Sequence, residues 1–189
     1  MNVYDKYPEE IELDGRKYRL DLNYDRVLRV MDIQSMDELT ARDKLEVQCA
    51  WLLAEGEKLP RGSDAQARLI SAVFDLFPKS KERAQERYID FHQDAAMIRS
   101  GFYRCGIDLT RDKIHFIQFL ELLADLPQDT ALMRRVELRQ RPIPKPNGHN
   151  NEQIAALMEA KARVAIHISE EERRERFAES LRDTAILKG

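Results

Sequence analysis

The stretch EEIELDGRKYRLDL, residues Glu9–Leu22, contains the clearest local signal of secondary structure in this chain. Asp14 and Gly15 stand between two runs of alternating apolar and charged residues, and an Asp-Gly pair in this setting predicts a two-residue hairpin turn. The resulting register gives the hairpin one apolar face and one face on which opposite charges pair. The apolar face carries Ile11, Leu13, Tyr18, Leu20 and Leu22, and the cross-strand partners are Leu13 with Arg16, Glu12 with Lys17 and Glu10 with Arg19. A lone hairpin is marginal in water, so we expect its apolar face to cover helices.

The chain that follows the hairpin has the apolar spacing of helices up to about residue 140. Most of these segments begin at a capping residue and end near glycine or proline. The second, for example, is predicted to begin at Thr40 and to be capped at its C-terminal end by Gly56. Their predicted starts lie at or near Asn23, Thr40, Ser63, Asp90, Thr110 and Asp129. The fifth contains IHFIQFLELLADL and is the most apolar, so it should be central. We therefore predict a mainly α-helical fold, a domain of about six helices with an N-terminal β-hairpin.

A proline-rich strap, RQRPIPKPNGHN at residues 139–150, follows the sixth helix. Pro142, Pro144 and Pro146 fix φ and remove three amide donors, which excludes both a helix and a central strand. No two of them have the P-x-x-P spacing that aromatic-lined grooves recognise. After the strap, NNEQIAALMEAKARVAI and a segment beginning at Ser169 predict a C-terminal helical arm. The predicted parts are a hairpin-plus-helical core of residues 1–140, a strap of residues 141–150 and an arm of residues 151–189.

Composition and charge favour a soluble, helix-rich protein. With 43% apolar residues the chain can form a core, and its net charge of −3 creates no field that would select a partner. The two cysteines, Cys49 and Cys105, are far apart and form no metal-binding spacing, which fits a reducing cytosol. We see no apolar run long enough to span a membrane and no targeting segment, and expect a cytoplasmic protein.

Residues that could carry chemistry have simpler interpretations. His92 and Asp94 are two residues apart on a predicted helix, where they face different sides, so we interpret both as surface residues. Cys105 and His115 could form a nucleophile and base, but no glycine-rich elbow or orienting Asn or Asp marks either one, and a small buried thiol with a helix-face imidazole is the simpler explanation. No glycine-rich phosphate loop or metal motif is present in the sequence. We expect no catalytic, cofactor-binding or metal-binding residues, and no enzyme.

The best candidates for contact with another molecule lie around the strap. Basic residues cluster there as Arg134, Arg135, Arg139, Arg141 and Lys145, and the arm has an apolar face formed by Ile154, Leu157 and Met158. Nucleic acid would use such charges for phosphate contacts, but the region has no aromatic residue for base stacking and the pI is near 5.9. Two interpretations of the basic cluster stay open: a solvated helix end that complements the helix dipole, or a docking surface for an acidic protein. With Pro142 and Pro144, these eight residues form the predicted partner-binding set.

Three blocks of the sequence together resemble a phage protein family. They are YPEEIELDGRKYRLDLNYDRVLRVMDI at residues 7–33, DFHQDAAMIRSGFYRCGIDL with IHFIQFLELLADLPQDT between residues 90 and 130, and RQRPIPKPN at residues 139–147. The family is the bacteriophage gene-product-fifteen proteins, from the tail gene clusters of phages and prophages with long, non-contractile tails. The resemblance extends to about Ile166.

This resemblance implies a role in tail morphogenesis, like that of the tail assembly chaperones that coat the long helical tape-measure protein until tube subunits replace them. The implied partners are the tape-measure protein, tail-tube subunits, or both. The amphipathic face of the arm separately predicts a contact with a second copy of the chain. The implied location is the cytoplasm of the bacterial host. Two alternatives are a minor structural component retained in the virion and a nucleic-acid-binding regulator.

Overall fold

The computed structural model describes residues 6–78 and 88–167. Predictions on the final helix from Ser169, and on most of the polar KSKERAQERY connection, lie outside these residues. The described elements are β1 (Glu10–Leu13), β2 (Arg16–Arg19), α1 (Tyr24–Ile33), α2 (Ala41–Leu52), α3 (Ser63–Asp75), α4 (Ala95–Arg104), α5 (Phe116–Ala124), α6 (Ala131–Gln140) and α7 (Asn151–Val164). The predicted mainly α-helical fold with an N-terminal β-hairpin is confirmed.

The hairpin has the predicted register. Glu10 pairs with Arg19 and Glu12 with Lys17, so opposite charges face each other across the two strands. At the turn Asp14 has φ 52° and Gly15 has φ 74°, and these two positive values are what a type I′ turn requires. The apolar face is directed inward, because Tyr18, Leu20 and Leu22 are all buried.

The described chain forms two compact units. Unit 1 comprises residues 6–78 and 99–127, and unit 2 comprises residues 88–98 and 128–167, so the division falls within α4. The first unit contains the hairpin, α1 to α3 and α5. The second contains the segment before α4, α6, the strap and α7. That the arm from residue 151 acts as a separate functional part stays a prediction.

The core of unit 1 is built around α5, as its apolar sequence predicts. The Phe119 ring stacks on Tyr24 with centroids 4.9 Å apart and on Phe102 with centroids 5.2 Å apart. Phe116 meets the edge of Phe77 at 4.8 Å. Aromatic pairs of this kind add to the free energy gained from burying the rings.

The end of α2 differs from the prediction. Leu53 leaves the helix in an extended conformation, with φ −84° and ψ 144°, and forms a bridge with Leu20 beside the hairpin. The Asp21 amide donates to the Leu52 carbonyl at 2.9 Å, which extends this contact. The prediction that Gly56 caps α2 is therefore wrong: pairing with the hairpin strand, and not a glycine, ends the helix.

Helix starts were predicted less accurately than helix existence. Asp90 does not begin α4, since its carboxylate accepts from the His92 and Gln93 amides at 2.9 and 2.8 Å and holds a turn before the helix. The fifth helix likewise starts at Phe116, several residues after Thr110. Thr40 caps α2 as predicted, with its hydroxyl accepting from the Asp43 amide.

Unit 2 has little aromatic material, since Tyr88 and Phe91 are the aromatic residues in its described part. Val136 and Leu132 of α6 are buried, but α7 has no buried residue. Among the helices of residues 6–78 and 88–167, none has the length and apolar character that crossing a membrane requires.

Candidate partner-binding surface

A buried carboxylate organises unit 2. Asp94 is fully buried, and its two oxygens accept from Nη1 and Nη2 of Arg139 at 2.5 and 3.0 Å. Arg135, one helical turn earlier on α6, donates from Nη1 to the same carboxylate at 2.9 Å. The Arg139 side chain is only 6% exposed, so this ion pair is inside the protein and not on its surface.

The pKa of Asp94 is lowered although the carboxyl is buried. Burial alone would raise the pKa of this carboxyl, because it disfavours the charged form. Hydrogen bonds from Arg139, from the Asp90 amide and from Arg135 favour the charged form more strongly, and the net pKa lies below its ordinary value. The carboxylate is therefore ionised at neutral pH and holds both arginines in place.

Two predictions about these residues are wrong. Asp94 was expected on the surface, yet it is the least accessible charged residue of unit 2. Arg139 was expected in a solvated or docking cluster, yet its guanidinium is buried and bound within the chain. A signal was present in the sequence: Arg135 and Arg139 are four residues apart on one helix face, a spacing that suits a shared carboxylate.

Arg139 also connects α6 to two other segments. Its Nε donates to the carbonyl of Val164, the last residue of α7, at 2.6 Å. Its Nη1 donates to the Tyr88 carbonyl at 2.6 Å. The last carbonyls of a helix have no partner within the helix, so a basic side chain placed there satisfies one of them.

The end of α6 is capped in turn by α7. Lys161 donates from Nζ to the carbonyls of Arg139 and Arg141, both at 2.7 Å. The two helices thus cap each other: Arg139 binds the C-terminal end of α7 and Lys161 binds the C-terminal end of α6. We call this pair of contacts the reciprocal clasp. It fastens a helix that has no buried residue of its own.

The clasp explains why the strap is rich in proline. Because α7 ends where α6 ends, the chain must first move away by the length of α7 and then return. An extended chain from Arg141 to Pro146 covers about 15 Å at about 3.1 Å per residue. From Asn151 to Lys161 a helix also rises about 15 Å. Prolines keep the outgoing segment straight without hydrogen bonds of its own.

Both ends of the strap are fastened to α7. Lys161 holds the Arg141 carbonyl, and Asn150 donates from Nδ2 to the Lys145 carbonyl at 3.1 Å. After Lys145 the chain reverses into α7 through a short turn, in which the Asn147 side chain accepts from the His149 amide at 3.0 Å. The strap therefore runs antiparallel to α7, and we call residues 141–164 the strap–helix hairpin.

The predicted partner-binding residues fall into three groups. Arg139 and Arg135 belong to the buried carboxylate site described above. Along the strap–helix hairpin, Ile154 and Leu157 are half-buried, whereas Met158 is 53% exposed. The remaining members, Arg134, Arg141, Pro142, Pro144 and Lys145, are exposed. That any of these residues binds a partner stays a prediction, as does the exchange of the arm between two copies.

Of the residues considered for chemistry, His115 forms contacts that stabilise the start of a helix. His115 precedes α5 and caps it, since its Nδ1 accepts from the Ile117 amide at 3.1 Å while Nε2 lies 3.2 Å from the Pro8 carbonyl. Burial lowers the pKa of this imidazole. The expectation of a helix-face histidine is therefore wrong, and so is that of a buried Cys105, which is exposed. Cys49 is the buried thiol, and burial raises its pKa to about 12.

Comparison with known proteins gives one match. The family model described as Bacteriophage Gp15 protein matches residues 3–166, which includes the hairpin, every described helix and the strap. No curated protein and no solved structure matches the chain. The match covers well over half of the sequence and agrees with the resemblance found in its three blocks, and the chain therefore belongs to the bacteriophage Gp15 family.

Proposed function

We propose that this protein is a tail assembly chaperone that binds the tape-measure protein in the cytoplasm of the bacterial host. Membership of the bacteriophage Gp15 family supports a role in a phage or prophage. The finer role rests on one structural observation: the strap–helix hairpin presents an amphipathic helix that has no buried residue. It is a proposal for a binding protein and not for an enzyme.

An isolated 14-residue helix is marginal in water, so α7 depends on its attachments to stay folded. Those attachments are concentrated at its C-terminal end, in the reciprocal clasp. Before Lys161 the half-buried residues of the helix are Ile154, Leu157 and Ala160, and every residue of the strap from 141 to 149 is exposed. A preformed helix held in this way loses little conformational entropy when a long helical partner binds along it.

Co-expression tests the proposal. The full-length protein, carrying an affinity tag, is produced with the tape-measure protein of the same phage or prophage gene cluster. We expect the tape-measure protein to be soluble and to co-purify only when the tagged protein is present. We also expect mass spectrometry of purified virions to show the tape-measure protein without this chain.

Two results would overturn the proposal. A fixed copy number of the chain in purified virions would identify it as a structural tail component. Failure to co-purify, with the tape-measure protein aggregating whether or not the chain is present, would remove the chaperone role.

A further inference from the structure

The strap–helix hairpin carries an exposed apolar patch that the predicted binding set does not include in full. Ile143 in the strap is 49% exposed and Met158 in α7 is 53% exposed. Large apolar side chains exposed singly need no explanation, but two on the same strap–helix hairpin form a candidate contact surface for another molecule.

The two side chains lie at the same level of the hairpin. Lys161 binds the Arg141 carbonyl and so fixes where the strap and α7 start to run side by side. Ile143 is two residues further along the strap, about 6 Å in an extended chain. Four residues of helix cover the same distance, which brings Ile143 level with Leu157 and Met158. Ala155 and Ala162, one turn before and after Met158, are exposed and too short to cover it.

Positive charge surrounds this patch. Between residues 141 and 164 there are four basic side chains, Arg141, Lys145, Lys161 and Arg163, and two acidic ones, Glu152 and Glu159, which gives +2 in a chain of net charge −3. Glu159 is paired with Arg163 at 2.5 Å. Arg141 and Lys145 are exposed on either side of Ile143. A partner with acidic residues flanking its apolar contact would complement them.

The strap restricts the backbone of the partner. A strand that adds to an edge needs a row of amide donors, and the edge to which residues 142, 144 and 146 belong has none, because all three are proline. A polyproline-binding groove needs P-x-x-P spacing, which is absent. A helix satisfies its own backbone hydrogen bonds and has to offer only side chains, so it suits this surface.

We propose that the patch formed by Ile143 and Met158, with Arg141 and Lys145 at its rim, binds an acidic amphipathic helix of another protein. This inference rests on the proposed function and names the chemistry of the partner segment. It selects acidic, amphipathic stretches of the tape-measure protein over basic ones.

Designed peptides test the inference on the full-length protein. The probe is a fluorescent helical peptide of about 18 residues with leucine at i, i+3, i+4 and i+7 spacing and glutamate on its remaining faces. A second peptide replaces each glutamate with lysine. Fluorescence anisotropy at moderate salt should show binding of the acidic peptide and at least about tenfold weaker binding of the basic one.

Variants locate the contact. Ile143→Thr combined with Met158→Gln keeps the branched and the helix-forming character of these positions but removes their apolar surface, and it should weaken binding of the acidic peptide by at least about tenfold. Met36→Gln is the matched control, because Met36 is another exposed methionine, 42% accessible, in unit 1. Arg141→Glu with Lys145→Glu should weaken binding of the acidic peptide and strengthen binding of the basic one. Arg61→Glu, a control in unit 1, should change neither. Circular dichroism checks that each variant is folded.

Three outcomes would overturn the inference: no binding of the acidic peptide, equal binding by the Ile143 and Met158 variant, or competition by a DNA duplex at similar concentration. Failure here is distinguishable from failure of the proposed function. A chain that rescues the tape-measure protein in co-expression but ignores the peptide is a chaperone with a different contact surface. A chain that binds the peptide but does not rescue has the surface and another partner.

Discussion

Two helices in this molecule, α2 and α6, have their C-terminal carbonyls capped by a basic side chain from another helix. The two capping helices differ in how much apolar surface they bury. In unit 1, Arg26 of α1 donates from Nε to the Trp51 carbonyl at 2.8 Å and from Nη2 to the Leu53 carbonyl at 3.3 Å, and so caps the end of α2. In unit 2, Lys161 of α7 caps the end of α6. Arg26 stands on a helix that also buries three apolar residues, whereas Lys161 stands on a helix that buries none.

The comparison shows what each unit depends on. Unit 1 would keep α1 against α2 without its cap, because the two helices share an apolar interface below it. In unit 2 the Lys161 cap and the buried Asp94 carboxylate hold the helices together, a role that an apolar interface has in unit 1. Polar contacts need correct geometry and charge state, so unit 2 should be the more sensitive to single substitutions and to conditions.

Asp94→Asn should have the largest effect. The substitution keeps the shape of the side chain but leaves the buried Arg139 without its counter-charge, which costs about 3–5 kcal/mol of unfolding free energy. Urea unfolding followed by circular dichroism measures it. Glu159→Gln is the matched control, because it removes an exposed carboxylate from an arginine pair in the same unit and should cost at most about 1 kcal/mol.

A double variant sharpens this result. Asp94→Leu with Arg139→Met removes both buried charges and should recover part of the loss, since apolar residues often replace a buried ion pair without penalty. Similar losses for Asp94→Asn and Glu159→Gln would show that the carboxylate site contributes no more than a surface pair.

Lys161→Met should come second. Methionine keeps the apolar stem but removes two charged hydrogen bonds, each worth about 1.5–3 kcal/mol at most. Because α7 has no buried residue, we expect its amides to exchange hydrogen much faster while those of α5 do not change. Arg26→Met is the counterpart in unit 1, and there the amides of α2 should stay protected. Equal loss of protection in α2 and α7 would contradict the comparison.

Much of the fold could be predicted because it depends on residues that are close together in the sequence. The hairpin register follows from Asp14-Gly15 and its flanking alternation, and Thr40 marks its helix through one side chain. The end of α2 could not, since it depends on Leu53 meeting Leu20, far away in the chain. The burial of Asp94 likewise depends on arginines 41 and 45 positions later, which no local pattern brings together. That the strap forms neither helix nor strand could be predicted from its prolines, but its antiparallel path along α7 required the clasp.

Gly15→Val tests the hairpin turn and should have a smaller effect. Gly15 has φ 74°, and a branched side chain in the left-handed region costs about 1–2 kcal/mol. No atom outside the neighbouring residues lies within 4 Å of the position a Cβ would take, so the expected cost comes from backbone strain and not from a clash of the Cβ. The melting temperature should fall, while binding of the acidic peptide at the strap–helix hairpin should not change. An unchanged melting temperature would show that the turn tolerates a side chain.

Acid should change the stability of the two units in different pH ranges, and this is the smallest of the predicted effects. Burial depresses the pKa of His115, whose Nδ1 must stay unprotonated to accept from the Ile117 amide. Above pH 6.5, the ordinary value, His115 is neutral in both the folded and the unfolded chain, and its contribution is fully present. As the pH falls below 6.5 the unfolded chain binds the proton first, so unit 1 loses stability until the lower folded pKa is reached.

The carboxylate of unit 2 responds in a different window. Asp94 also has a depressed pKa, so its contribution is present above its ordinary value of 3.8 and is lost as the pH falls through the folded pKa. Between pH 7 and 5 we therefore expect the protection factors of the α5 amides, which correct for the pH dependence of unprotected exchange, to fall while those of α6 do not. His115→Asn keeps a capping side chain that does not titrate in this range and should abolish the change in α5. A fall of the protection factors in α6 over the same interval, or no effect of His115→Asn, would show that another group governs this response.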